Sequence, residues 1–161
     1  MKKVALTLGF LVLLVGCNSH GKDDQGQVET RPVEMREVMK SIVAPQAQVL
    51  WDVSNKGMNE RGEPDASQLK DEDWAKIAAA AKMVESSATE LADAKAIIVA
   101  RTGEKIQDEE IRGASTAQQV QGFIDKDAQG FSDMARALAN SSADFAAAAK
   151  EHDAVKLANA S

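Results

Sequence analysis

Residues 71–91 read DEDWAKIAAAAKMVESSATEL, and this stretch decides the fold class. Its apolar residues recur at intervals of three, four or seven, which is the spacing of one face of an α-helix. The positions on that face are Trp74, Ile77, Ala81, Val84, Ala88 and Leu91. Three acidic residues, 71–73, stand where a helix dipole favours negative charge. The pattern predicts a helix over about 71–100, with Gly103 ending it.

Two further stretches show helical spacing on either side of this one. The earlier, over 32–55, carries Met35, Val38, Met39, Ile42, Val49, Leu50 and Val53, and Pro45 is expected to kink or restart it. The later, over 116–150, carries Val120, Ile124, Phe131, Met134, Leu138, Phe145 and Ala148. A short fourth segment begins after about residue 153. The sequence therefore predicts an all-α, antiparallel up-and-down bundle of three long helices and a truncated fourth, with Trp51, Trp74 and Leu138 in its core.

Composition limits the classes of function. The 161 residues include 19 basic and 25 acidic side chains, and this acidic balance argues against nucleic-acid binding. A single cysteine excludes an internal disulfide bond. Aromatic residues make up 4% of the chain and tyrosine is absent, which suits close-packed helices better than a β-sandwich. No phosphate-binding loop, zinc motif or catalytic constellation is present, so we expect no enzyme.

The first seventeen residues resemble a bacterial lipoprotein signal. Lys2 and Lys3 precede an apolar run from Val4 to Val15, too short to span a bilayer as a helix. Leu14-Val15-Gly16-Cys17 is similar to a lipobox, in which the cysteine is acylated and becomes the new N-terminus. We expect a removed signal peptide at 1–16, a lipidated polar tether at 17–31 and a helical domain at 32–161.

Cys17 is therefore the predicted lipidation site, and the lipid bilayer is the predicted partner of the anchor. The protein would face the periplasm from a membrane of the cell envelope. Asn18, rather than aspartate, follows the cysteine, which favours the outer over the inner membrane by analogy with enterobacterial sorting.

Residues 32–158 resemble the class II cytochromes c, which are cytochrome c′-like four-helix bundles. Three features carry the resemblance: the helix MREVMKSIVAPQAQVLW at 35–51, a loop with Pro64, and DEDWA at 71–75 opening the next helix. An alanine-rich stretch with Asp153 and Leu157 follows near the end. The resemblance implies a four-helix bundle whose role is haem binding and electron transfer.

In that family, a Cys-x-x-Cys-His motif on the fourth helix holds haem c, and in low-spin members a methionine of the first helix is an axial ligand. Met39 matches that methionine best, and Met35 is the second choice. This chain has no Cys-x-x-Cys-His motif, so the covalent haem site is missing from it. A non-covalent site between Met39 and His152 is the remaining alternative, although His152 is expected at a solvated turn and methionines at such positions usually fill a core.

Two functions remain open. The first is a membrane-anchored envelope lipoprotein of the class II cytochrome c type, with no cofactor held by this chain and haem c implied by the family. The alternative is a haem-free helical-bundle lipoprotein that acts as an envelope interaction or structural module. The protein partners left open are a redox protein, another envelope protein and a second copy of the chain.

Overall fold

The structure, a computed structural model, describes residues 31–160. Cys17, the predicted signal peptide and residues 17–30 of the predicted tether lie outside the described residues. Within the described range the chain is mostly helical, so the all-α class is confirmed. The elements are β1 (Val33–Glu34), α1 (Met35–Val38), a π-helical turn (Met39–Val43), α2 (Ala44–Lys56), a 3₁₀ turn (Ala66–Gln68), α3 (Asp71–Asp93), β2 (Ile97–Ile98), α4 (Ala117–Lys126), α5 (Ala128–Glu151) and α6 (Ala154–Ala160).

The first three helical segments form one continuous rod over residues 35–56, called here the N-terminal rod. Met39 and Ala44 keep right-handed helical angles at both junctions. Pro45 has no N–H group, and its ring would clash with the carbonyl of residue 41 in a regular α-helix. The backbone widens into a π-helical turn just before it, where the Ala44 N–H donates to the Met39 carbonyl five residues back. The predicted interruption at Pro45 is therefore a local widening.

α3 ends at Asp93, so the prediction that this helix reaches residue 100 and stops at Gly103 is wrong. Ala94 takes an extended conformation, and β2 then pairs in parallel with β1. The side chain of Gln121 holds this strand: its carbonyl oxygen accepts from the Val99 N–H at 2.8 Å, and its amide donates to the Ile97 carbonyl at 3.2 Å. These tertiary hydrogen bonds satisfy backbone groups that a longer helix would have satisfied internally.

The third predicted helix, 116–150, is divided at Asp127. Asp127 leaves the helical conformation, and its side chain accepts from the Gly130 N–H at 2.9 Å, which caps α5. A Cβ at Gly130 would lie 2.4 Å from the Asp127 carboxylate, so a larger residue there would displace this capping side chain. The predicted short segment after residue 153 is present as α6.

α3 lies between the N-terminal rod and α5. The Lys56 ammonium binds the Asp73 carboxylate, which joins the end of the rod to the start of α3. The Ser132 hydroxyl donates to the Ala92 carbonyl at 2.8 Å, which joins the start of α5 to the end of α3. Each of these contacts joins the C-terminal end of one helix to the N-terminal end of another.

α3 and α5 meet through small residues. The buried side chains of α5 are Ala135, Ala139, Ser142, Ala148 and Ala149. They pack against an α3 face that includes Ala80, Ala81 and Ala88, each 0% exposed. Small side chains allow two helix backbones to approach closely, so alanine at these positions provides the packing that leucine provides in most bundles.

Two core predictions are wrong. Leu138 is 38% exposed and Trp51 is 66% exposed, whereas Trp74 is buried as predicted. On the stripe predicted for the third helix, Met134 and Leu138 are exposed, whereas Ala148 is buried. The small residues Ala135 and Ala139 make the α3–α5 contact instead, because they let the helices approach and leave the larger side chains outside.

Candidate functional site

The uncovered large side chains border a cavity of about 440 Å³ between the N-terminal rod and α5, called here the rod–α5 groove. The residues lining it are Val43, Ala47, Leu50, Trp51, Ser54, Asn55, Met58, Val84, Leu138, Ser141, Ser142, Phe145 and Ala160. None of them carries a charge. The groove therefore offers apolar contact and a few hydroxyl and amide groups, and it lacks the titratable side chains that acid–base chemistry requires.

The geometry of the groove follows from the helices that form its walls. The rod contributes Val43, Ala47, Leu50 and Ser54, which recur every three or four residues and so lie along one helix face. α5 contributes a second such face through Leu138, Ser141 and Phe145, and Val84 of α3 forms the floor. Two parallel ridges with an apolar floor are the surroundings of a helix in a four-helix bundle.

The hydroxyl of Ser54, which lines the groove, has no hydrogen-bond partner among the described residues. Ser54 is 8% exposed, and among the described residues its hydroxyl is the buried side-chain polar atom that lacks a hydrogen-bond partner. An unpaired buried hydroxyl costs free energy, so such groups in native proteins call for an explanation. A polar group on a molecule seated in the groove would supply the missing partner.

An ion pair between Lys56 and Asp73 holds the helices together at one end of the groove. Asp73 is 3% exposed and accepts the Lys70 backbone N–H at 3.0 Å. The hydrogen bond from Lys56, together with that from the Lys70 backbone, holds the pKa of the Asp73 carboxyl below its usual value. The pair ties the C-terminal turn of the rod, next to the groove residues Asn55 and Met58, to the start of α3.

The two methionines predicted as haem ligands lie outside this groove. Met39 is 40% exposed on the π-helical turn, and Val43, four residues further on, is the first rod residue that lines the groove. Met35 packs at the end of the bundle formed by Leu91, Ala92 and Ala135.

His152 lies at the opposite end of the bundle. Its ring stacks on Trp74 with centroids 5.1 Å apart and planes 8° apart. Trp74 and Leu91, near the two ends of α3, are separated by 17 residues or about 26 Å of helix. The structure therefore does not bring Met39 and His152 together as ligands of one haem.

Within residues 31–160, no group of three or more His, Cys, Asp or Glu side chains is placed to hold a metal ion. In the same range, no helix has the length and apolar character needed to cross a bilayer.

No family model, curated protein or solved structure matches the chain. The groove must therefore be interpreted from its own geometry. Sequence reasoning placed Leu138 and Phe145 on a common stripe but missed Trp51 and Ser54 as lining residues. The first helix carries more apolar residues than one neighbouring helix can cover. This excess could have indicated that part of its surface borders a groove.

Proposed function

We propose that this protein is a cell-envelope lipoprotein, anchored through acylated Cys17, whose helical domain is a bundle of the class II cytochrome c type. In that family the bundle holds haem for electron transfer. The observation that carries the proposal is the uncharged rod–α5 groove, an apolar cavity of about 440 Å³ flanked by one face of the rod and one face of α5.

The path of α6 supports this assignment. Ala154 and Leu157 of α6 are buried in the core that contains Leu69 and Trp74, and Ala160 lines the groove. A helix following the same path would lie against the ridges of the rod and of α5. Its apolar face would cover Trp51 and Leu138, whose exposure is costly in water.

The described residues alone do not fit haem. Met39 lies beyond the end of the groove, His152 stacks on Trp74 at the other end of the bundle, and the whole sequence has no Cys-x-x-Cys-His motif. The proposal therefore takes haem from the family resemblance, in which a helix carrying that motif holds it, and assigns no haem to the residues of this chain. Met39 remains the candidate axial ligand by family resemblance alone.

The test is expression with a cytochrome c maturation system. The unmodified chain should carry no covalent haem, because attachment requires two thiols near the haem vinyl groups and its one thiol is at Cys17. The same chain extended by an amphipathic helix with Cys-x-x-Cys-His should acquire haem that survives denaturing electrophoresis. The matched control is the same extension with serine in place of both cysteines.

Failure of the extended chain to take up haem would contradict the proposal. If haem is attached, Met39→Ala should change the absorption spectrum and Met35→Ala should not. An absorption spectrum that is unchanged by Met39→Ala would contradict the assignment of Met39 as a ligand. It would not contradict the assignment of the bundle.

A second function is favoured by the exposure of Trp51. Exposed tryptophan beside an apolar groove is typical of the centre of a protein interface. In this alternative the protein is a haem-free envelope module whose groove binds an amphipathic helix of a partner. The two functions differ in the extended chain: covalent haem uptake by the chain with an added Cys-x-x-Cys-His helix is expected from the first function and not from the second.

A further inference from the structure

A second apolar surface lies at the end of the bundle where the chain enters from its N-terminus. Its lining has six apolar side chains together with Asp127 and Gly130, and is called here the tether-side patch. The six are Met35, Val120, Phe123, Ile124, Phe131 and Met134. Phe123 is 64% exposed and Met134 is 68% exposed. These six side chains come from the rod, α4 and α5, so the patch is a continuous surface built by three elements.

The N-terminal strand fixes the position of this patch relative to the predicted tether. The Val33 N–H donates to the Ala96 carbonyl at 2.9 Å, and Val33 pairs with Ile97. Glu34 binds Arg101 at 2.7 Å. The next residue, Met35, already lines the patch, so the chain enters the folded domain directly beside it.

The chain between Cys17 and Val33 limits the distance from this entry point to the bilayer. Sixteen residues span at most about 55 Å when fully extended. The described chain enters the domain beside the tether-side patch, so this patch is the large apolar surface to which an anchor at Cys17 is joined most directly.

We propose that the tether-side patch docks on the surface of the lipid bilayer, with Phe123 and Met134 entering the boundary between headgroups and acyl chains. This inference rests on the proposed acylation of Cys17. The exposed charges at the patch have both signs, with Asp127 in its lining and Lys126 next to it in the chain, so burial of apolar surface is the driving force. Docking would orient the domain, with Trp74 and His152 at the end away from the membrane.

The test uses the full lipidated chain in vesicles of phosphatidylethanolamine and phosphatidylglycerol, with and without bromine on the acyl chains. Bromine quenches tryptophan fluorescence at short range. Phe123→Trp places a reporter in the patch, and Val155→Trp is the matched control, because Val155 is 58% exposed on α6 at the opposite end. The parent protein gives the background from Trp51 and Trp74.

The Phe123→Trp reporter should lose about half of its emission in brominated vesicles, because interfacial side chains lie about 5–10 Å deep. The Val155→Trp reporter should be unaffected. Met134→Trp repeats the measurement from a second exposed position, in case the first variant does not fold.

Flotation of the vesicles separates the two proposals. Chain that floats with the vesicles, but whose patch reporters are quenched no more than Val155→Trp, would contradict docking and leave the anchor intact. Chain that does not float would contradict the anchor, and docking with it. A blue shift at Phe123→Trp without quenching by bromine would mean that protein covers the patch, which also overturns docking on lipid.

Discussion

At the scale of single residues, Asp73 has the strongest combination of burial and charge pairing in the described structure. It accepts the Lys70 backbone N–H, which caps α3, and it binds Lys56 across the interface with the rod. The acidic cluster at 71–73 predicted a favourable helix start, and the structure assigns that function to one member of it. Asp71 and Glu72 are exposed on the same turn.

Asp73 predicts a dependence of stability on acid. Its pKa is lowered in the folded state, so its contribution is present above the ordinary aspartate pKa and is lost as the pH falls through the folded value. The free energy of unfolding should fall below about pH 4 in the parent protein, and less steeply in Asp73→Asn. Urea unfolding at several pH values measures this. Asp71→Asn is the matched control, and an Asp73→Asn slope equal to that of the parent would contradict the assignment.

The exposure of Leu138 gives a second residue-scale prediction. Ile77 is 0% exposed, so Ile77→Ala should cost about 2–5 kcal/mol of unfolding free energy. Leu138 is 38% exposed and borders the groove, so Leu138→Ala should cost less than about half as much. Chemical denaturation of both variants measures the difference. Equal losses would show that Leu138 is covered in solution.

At the scale of elements, the close contact between α3 and α5 depends on small side chains. Ala139 is buried in that contact, whereas Ala137, on the same helix, is exposed. Ala139→Leu should therefore destabilise the protein by about 1–3 kcal/mol, because the larger side chain forces the helices apart. Ala137→Leu should change the unfolding free energy by less than about 0.5 kcal/mol. Thermal and urea melts compare the two variants, and a neutral Ala139→Leu would mean that the helices are further apart than described.

Most elements could be predicted from the sequence, and their ends could not. Helical periodicity placed all the long helices, because burial of one face follows local spacing. The end of α3 at Asp93 depends on Gln121, which lies 28 residues away and bonds the 97–99 segment. The division at Asp127 depends on a cap that competes with continuation of the helix. The hydrogen bonds from Gln121 cannot be read from the local sequence pattern near Asp93. The cap at Asp127 is suggested by the local sequence but not determined by it.

Less of the candidate site than of the fold could be predicted from the sequence. The stripe containing Leu138 and Phe145 was visible in the sequence, but its interpretation as buried core was wrong at Leu138, whereas Phe145 packs against the core. The choice between neighbouring faces of α5 depends on how closely alanine lets α3 approach, which is a property of the packed pair. The candidate ligand Met39 and His152, its partner in the alternative non-covalent site, could not be related in space until the direction of each helix was known.

At the scale of the whole molecule, the proposals rest on two apolar surfaces that are open in the described part of the chain, residues 31–160. The rod–α5 groove runs between two helix faces and is lined without charge, and the tether-side patch lies at the entry point of the chain. The proposals assign a fourth helix to the first surface and lipid to the second. Predicted acylation at Cys17, outside the described residues, connects both to a position at the membrane.

The central claim is that the rod–α5 groove is open and receives a helix. Acrylamide quenching of Trp51 tests it most directly, because Trp51 lines the groove and is 66% exposed. In a Trp74→Phe background, Trp51 should be readily quenched in this chain and strongly protected once the haem-bearing helix is appended. Equal quenching of Trp51 in the two proteins would contradict the account.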